Sequence, residues 1–425
     1  MSTERALRFG LVAVVGFALA LPWADLRAQA RLPTQELPVL AATDEAAVLI
    51  VNTTDDTDDD TCNVVHCSLR EAIQAANASA VPNTVAFDIP PSDPGYNPSG
   101  WWTIRPASPL PELIDDSTTI DGTTQTANRG DTNPLGPEIE LDGNLVGGNG
   151  RGFYIRSANN VIRGLAIDRF TETGIRLEGH AATNNRIVGN YLGTDPTGTQ
   201  DRGNGWGIYI YLSAHDNTVG GAAREDRNLI SGNDQAGIGL VSAGADGNRI
   251  IGNFIGTNAQ GSEALGNTYD GASIAFGAQR NVIGPGNVIA FNGRDGVRVN
   301  SSNSLSNTVT ANSIYRNTGK GILLIDGGNA KLVAPVIVTV SATTVQGMAC
   351  AGCGVEIFSD LEDEGAVYEG FGTADGAGNW AFTKPGGLAG PNVTATATDA
   401  ADNTSEFSAP VATLRSRVYL PLLRW

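Results

Sequence analysis

Between residues 160 and 325 one phrase recurs six times: an asparagine, a short apolar alternation, a corner rich in Gly and Asn, a loop, and a glycine that opens a second alternation. The first half reads NVIRGLAI from Asn160, NRIVGNYL from Asn185, NTVGG with NLISGN from Asn217, NRIIGNFI from Asn248, NVIGPGNVI from Asn281 and NTVTANSI from Asn307. The second half reads GIRL at Gly174, GIYI at Gly207, GIGL at Gly237, GASI at Gly271, GVRV at Gly296 and GILL at Gly321. The last two glycine intervals are both 25 residues and the earlier ones 33, 30 and 34, so insertions ride on a fixed unit. Alternation over a few residues fits a strand, and self-similarity at this period fits a solenoid. The expected fold is all-β, with each unit one coil of a parallel β-helix.

Coils of such a solenoid stack at about 4.8 Å, so equivalent residues lie over one another. Asn190, Asn233, Asn253 and Asn312 are therefore expected to form one amide ladder. Glycine at the corners admits positive φ, and the inward Ile, Val and Leu build an apolar column that no single coil could bury alone.

The rest of the chain frames this repeat. Residues 1–30 read as a signal peptide, with Arg5 and Arg8, an apolar run from Phe9 to Trp23 and Ala28-Gln29-Ala30 as a cleavage site. The run is shorter than the roughly 20 residues of a membrane span, which argues against an anchor. Removing the three basic and two acidic residues of this segment takes the formal net charge from −18 to −19. Nucleic acid is thereby excluded as a partner, because phosphate binding needs a basic footprint. No other stretch is long and apolar enough to cross a bilayer, so the mature chain is expected to be secreted or at the cell surface. The four cysteines fall in two close pairs, Cys62 with Cys67 and Cys350 with Cys353, and read as two local disulfides.

Residues 31–45 read as a linker and 46–83 as an N-terminal cap. Within the cap, Ser68 and Glu71 have capping-box spacing, and Leu69, Ala72, Ile73 and Ala76 share one helical face. The β-helix is expected from residue 84 to 332, with first coils at Val85–Ile89, Trp102–Ile104, Thr118–Ile120, Ile139–Leu141 and Phe153–Ile155. Residues 333–413 carry short strands with turn signals at sandwich spacing. The tail, 414–425, is apolar with basic flanks and reads either as an attachment segment or as a last edge strand.

The run Cys67-Ser68-Leu69-Arg70-Glu71-Ala72, with the acid-rich loop before it, resembles the segment that names the CSLREA-domain proteins. VAFDIP, WTIRPASPLPELIDDSTTIDG and the loops GNYLGTDPTGT and GNFIGTNAQGS extend the likeness over most of residues 47–330. The resemblance implies a secreted or surface bacterial protein with a right-handed, pectate-lyase-like β-helix, and it carries over no catalytic residue. Residues 333–413 are similar to bacterial Ig-like modules.

Two groups of residues are candidates for chemistry. The residue before each strand glycine forms a column of Thr173, Trp206, Ala236, Asp270, Asp295 and Lys320. Asp270 and Asp295 would stack about 5 Å apart, the separation of a retaining glycosidase pair; the alternative is a solvated charge ladder relieved by Lys320, Arg294 and Arg298. The acids Asp55, Asp56, Asp58, Asp59 and Asp60 are candidate Ca²⁺ ligands, with a solvated turn as the alternative. His66, His180 and His215 receive no role. The loops Gly193–Asn204 and Gly256–Asn267 share G-T-[DN]-x-x-G-[TS] and are expected to project from one side, two coils apart. The function expected is non-catalytic adhesion or binding of extracellular polysaccharide; the alternative is a secreted lyase, hydrolase or epimerase with Asp270 and Asp295 at its centre.

Overall fold

The computed structural model describes residues 47–413; the expected signal peptide, linker and tail lie outside them. The repeat folds as three parallel sheets wound in rotation. The first has nine strands from Ala47–Val51 to Thr308–Val309. The second has nine, from Tyr96–Asn97 to Ser313–Tyr315, of which only Tyr96–Asn97 is antiparallel to its neighbour. The third has seven, from Arg151–Ile155 to Ile322–Ile325. From Val161 onward the chain visits first, second and third sheet in strict order, the course of a right-handed parallel β-helix.

Register explains the sequence pattern. In the third sheet Ile175, Ile208, Ile238, Ala272, Val297 and Ile322 are successive partners, as are Leu177, Ile210, Leu240, Ile274 and Val299, so every coil adds its inward residues to one core. The glycines divide into two kinds. Gly164, Gly189, Gly220 and Gly252, between first and second sheet, have positive φ as expected. Gly174, Gly207, Gly237, Gly271 and Gly296 do not; a Cβ on any of them would lie 2.6 to 2.8 Å from the carbonyl oxygen of the next coil's glycine. Space, not φ, selects glycine there.

Asparagines hold the corners in three ladders rather than one. Asn160, Asn185, Asn217, Asn248, Asn281 and Asn307 form the first, each donating its backbone N–H and Nδ2 to the Oδ1 of the next. Asn190, Asn228, Asn253, Asn287 and Asn312 form the second. Asn204, Asn233, Asn267, Asn292 and Asn317 form the third. Asn233 thus belongs to a different ladder from Asn190, Asn253 and Asn312. The segment Asn228 to Asn233 has an asparagine at each end of one strand, and only register tells the two corners apart.

Both ends of the solenoid are closed. At the N-terminal end the stack begins at Ala47, one strand before the expected start near residue 84, because Ala47–Val51 pairs in parallel with Asn83–Phe87. Helix α1 (Leu69–Asn77) has the expected capping box and buries Leu69, Ala72, Ile73 and Ala76 in the solenoid core. A second helix, α2 (Thr123–Arg129), is not evident in the sequence, being built from Thr, Gln and Asn. Tertiary contacts make it: Gln125 bonds both backbone groups of Ile89, and Thr124 and Asn128 bond those of Phe87. Among the described residues no helix is long and apolar enough to cross a membrane.

At the other end lies a β-sandwich. Val336–Val340, Thr344–Met348 and Asn379–Thr383 form one antiparallel sheet; Val367–Thr373, Gly354–Asp360, Asn392–Thr398 and Val411–Ala412 form the other. Val345, Val355, Ile357, Trp380 and Val393 fill the space between them. Both cysteine pairs are bonded. The sandwich terminates the solenoid: Glu364 accepts from the backbone N–H and Nδ2 of Asn317, at the end of the third ladder. Asn329, which follows Asn307, donates to the Thr404 carbonyl, and Phe407 covers Gly321.

A ladder asparagine should therefore be worth far more than a surface one. Asn248→Ala leaves the buried N–H of Asn217 and the Ala214 carbonyl without their partner and takes one of two donors from Asn281 Oδ1, and should cost about 3 kcal/mol in denaturant unfolding. Asn303→Ala, at an exposed position, should leave the midpoint unchanged.

Candidate functional site

Strands of the third sheet alternate inward and outward, and their register stacks the outward residues. The position two after each strand glycine gives Tyr154, Arg176, Tyr209, Gly239, Ser273 and Arg298 in one column. Glu178 pairs with Tyr211 in the next column, and Thr173 with Trp206 in the one before. These side chains form one half-buried aromatic and charged face. The Trp206 and Tyr209 rings lie 5.0 Å apart and those of Tyr209 and Tyr211 5.4 Å. Arg176 stands 5.7, 5.6 and 5.3 Å from the ring centres of Tyr154, Tyr209 and Tyr211 and pairs with Glu172 and Glu178. Arg151 covers Tyr154 at 4.7 Å. Gly239 makes room on the next strand: a Cβ there would stand 2.7 and 2.9 Å from Tyr209 and Trp206 ring atoms.

Asp270 and Asp295 lie farther along the same sheet, at its edge, 5% and 6% exposed. The structure brings them together as the spacing predicts, but their oxygens are engaged by the backbone. Asp270 Oδ1 accepts from the N–H of Asp295 at 3.3 Å, and Asp295 Oδ1 from the N–H of Lys320 at 2.9 Å. Each carboxylate ties its coil to the next. Burial, and then the Asp295 charge, raises the pKa of Asp270. The Lys320 amine does not relieve this pair; it turns to Glu406 of the sandwich, and Arg298 approaches Asp295 to 3.8 Å.

The five acids of the N-terminal loop diverge. Asp56 pairs with Arg70, Asp58 accepts from Gln74, and Asp60 donates its N–H to Asp58. Asp55 and Asp59 instead face His66 from opposite sides, Asp59 together with Glu71: His66 Nε2 is 3.2 Å from Asp55, and Nδ1 is 3.1 Å from Glu71 and 3.9 Å from Asp59. Burial lowers the basicity of His66, but Asp55, Glu71 and Asp59 together raise it above the ordinary value. Asp59, His66 and Glu71 have donor atoms close enough for one metal ion. A nitrogen among two carboxylates suits a transition metal better than Ca²⁺, which takes oxygen ligands. Both other histidines lie on the turns after the third sheet, their rings 4.8 Å apart.

A third group escaped the sequence reading. Arg105, Asp142 and Asp168 occupy one outward row of the second sheet, with Glu140 two residues before Asp142. Glu140 accepts from Trp101 Nε1 at 3.2 Å and Thr103 Oγ1 at 2.6 Å, and pairs with Arg202. Asp142 takes Arg105 at 2.8 Å and Arg169 at 2.6 Å. Asp168 is wholly buried and neither oxygen has a hydrogen-bond donor; Arg169 and Arg202 come only to 3.5 and 3.8 Å. Burial first, then the charges of Glu140 and Asp142, push its pKa up to about 9 against the pull of Arg169 and Arg202. The carboxyl therefore keeps its proton at neutral pH.

Arg202 comes from the loop Gly193–Asn204, which this cluster fastens to the sheet. The two projecting loops are built alike. Asp195 Oδ1 accepts from Thr199 and Gln200, Asn258 Oδ1 from Ser262 and Glu263, and Gly198 and Gly261 have positive φ. They lie two coils apart on one side and touch, the Ala259 N–H donating to the Gly198 carbonyl at 3.0 Å.

No family model and no curated protein matches the chain. Among solved structures it is similar to the A-modules of two Azotobacter vinelandii mannuronan C-5 epimerases. For AlgE6 the identity is 16% over 62% of this chain and 77% of that one, with a TM-score of 0.30. For AlgE4 it is 11% over 57% and 72%, with a TM-score of 0.27. The fold of this chain rests on its own strand pairing, described above.

The aromatic face could have been found by aligning the strand glycines and reading two and four positions beyond them, where Tyr154, Arg176, Glu178, Tyr209 and Tyr211 fall. The buried acids had no such signal.

Asp168 ionises near the ordinary value in the unfolded chain but holds its proton in the fold, so the folded state binds more protons between about pH 4 and about pH 9. Its contribution to stability falls as pH rises through that window. Asp168→Asn should raise the denaturation midpoint at about pH 8 and change it little at about pH 4. Equal loss at both would show that the carboxyl is needed whatever its charge.

Proposed function

We propose that this chain is a secreted or cell-surface β-helix protein of the CSLREA type that contacts extracellular polysaccharide through the outer face of its third sheet, without chemistry. The observation that carries this reading is the platform of Tyr154, Trp206, Tyr209 and Tyr211 around Arg176. The C–H face of a pyranose ring is apolar and stacks on aromatic rings, while the guanidinium and the Glu172 and Glu178 carboxylates exchange hydrogen bonds with sugar hydroxyls. Two disulfides fit an oxidising compartment. On this reading residues 333–413 are an Ig-like module that closes the solenoid.

The rival reading, a lyase, hydrolase or epimerase, rests on the raised pKa of Asp270 beside Asp295. Against it stands the engagement of both carboxylates by backbone N–H groups.

Affinity electrophoresis against neutral and acidic polysaccharides, with parallel assays for new reducing ends and unsaturated products, tests both. Retardation without product is expected, and Trp206→Ala or Tyr209→Ala should weaken it about tenfold, the loss of one well-packed aromatic contact. Asp295→Asn should leave retardation unchanged. Product release that Asp295→Asn abolishes would overturn the non-catalytic reading, and a folded protein that binds nothing in the panel would overturn glycan contact.

A further inference from the structure

A cleft of about 590 Å³ opens on the outer side of the second sheet, away from the aromatic face. Tyr191, Leu229 and Phe254 lie in its lining and are register partners in three successive coils. One wall is the segment 131–138, held down by the Tyr191 hydroxyl, which donates to the Leu135 carbonyl at 2.8 Å, and by Asn133, which donates to the carbonyls of Pro137 and Pro196. Another wall is the segment that carries Arg224 and Arg227.

These two arginines are unusual in a chain with a net charge of −18. Most arginines on the solenoid are paired with a carboxylate, whereas no acid among the described residues lies within ion-pair distance of Arg224 or Arg227. Arg227 is held in place all the same: its guanidinium lies 4.1 Å over the Phe254 ring, and its Nε donates to the Gly252 carbonyl at 2.9 Å. Among the described residues its two terminal nitrogens meet no acceptor. Burial and the neighbouring Arg224 both disfavour its charge. Two crowded guanidiniums, one of them oriented by an aromatic ring, form a site for an anion. The wall from 131 to 138 brings Asp131 and the buried Glu138 to the same cleft. A polyanion without hydroxyls would meet these acids with charge alone; a short uronate also carries hydroxyls on every ring, which can donate to them.

We propose that this cleft binds a short acidic saccharide, with a uronate carboxylate on Arg224 and Arg227 and sugar hydroxyls toward Asp131 and Glu138. The volume falls in the range of small-ligand sites and suits an oligosaccharide of a few residues. The site lies on a different sheet from the polysaccharide-contact face and does not depend on it.

Titration calorimetry of the full chain with trigalacturonate, maltotriose and inorganic phosphate tests the assignment. Trigalacturonate should bind, more weakly as ionic strength rises, and Arg224→Gln and Arg227→Gln should each weaken it tenfold or more. Trp206→Ala should leave this titration unchanged, which separates it from the aromatic face. Arg227→Gln removes a packed side chain, so Arg224→Gln, at an exposed position, is the variant that decides if the other unfolds. Maltotriose binding as tightly, or Arg224→Gln without effect, would overturn the anionic contact. Phosphate binding as tightly as trigalacturonate would overturn the saccharide part, and absence of trigalacturonate binding would overturn the whole.

Discussion

The buried asparagine ladders are the constraint on which the structure depends. A solenoid corner turns the backbone away from its sheet, so peptide groups there lose their ladder partners while remaining buried. A stacked amide solves this once per coil: its Oδ1 takes the N–H and Nδ2 of the preceding asparagine, and its Nδ2 reaches onward to the next. The arrangement works only if every coil places an asparagine at the same height, which forces the repeat. Insertions are then confined to the loops between corners. The loop Gly193–Asn204 shows the result, since it enlarges one coil while Asn204 still meets Asn233.

A structure stabilised by stacking has unpaired ends, and this chain closes each with a different device. At the start, α1 buries an apolar face while α2 supplies side-chain amides and hydroxyls to the backbone of Phe87 and Ile89. At the finish, the sandwich offers Glu364, Thr404 and Phe407 as the next coil's substitutes. Burial raises the pKa of Glu364 to about 7, and the two bonds from Asn317 pull it down, so this contact favours the charged carboxylate. The sandwich is thus a stopper for the solenoid.

Outward faces are free of the stacking constraint, and chemistry gathers there. Stacking nevertheless organises it, because side chains with nothing in common in sequence are brought within about 5 Å of one another by register. Arg176 reaches three tyrosines from two neighbouring coils in this way. The same crowding costs energy where like charges meet, as at Glu140, Asp142 and Asp168, where the proton held by Asp168 and three arginines keep the row tolerable.

The solenoid was legible in the sequence because its period, its corner asparagines and its inward apolar residues repeat, and so was α1, because a capping box is a local rule. The pairing of cysteines five and three residues apart was equally local. Which ladder Asn233 joins, why Gly174 and its equivalents are glycine, and why Thr123–Arg129 is helical were decided by contacts between coils, which no local pattern records. The same holds for the site. Asp270 and Asp295 were placed together by counting, but that an oxygen of each serves the backbone of the next coil, that Arg176 sits among tyrosines, and that Arg224 and Arg227 share a cleft with Tyr191 and Phe254 follow only from register. Sequence determined the repeating unit, because each unit must offer the next the same asparagines and apolar residues; tertiary structure decided what the stacked units bring together, because neighbours across coils are more than 20 residues apart along the chain.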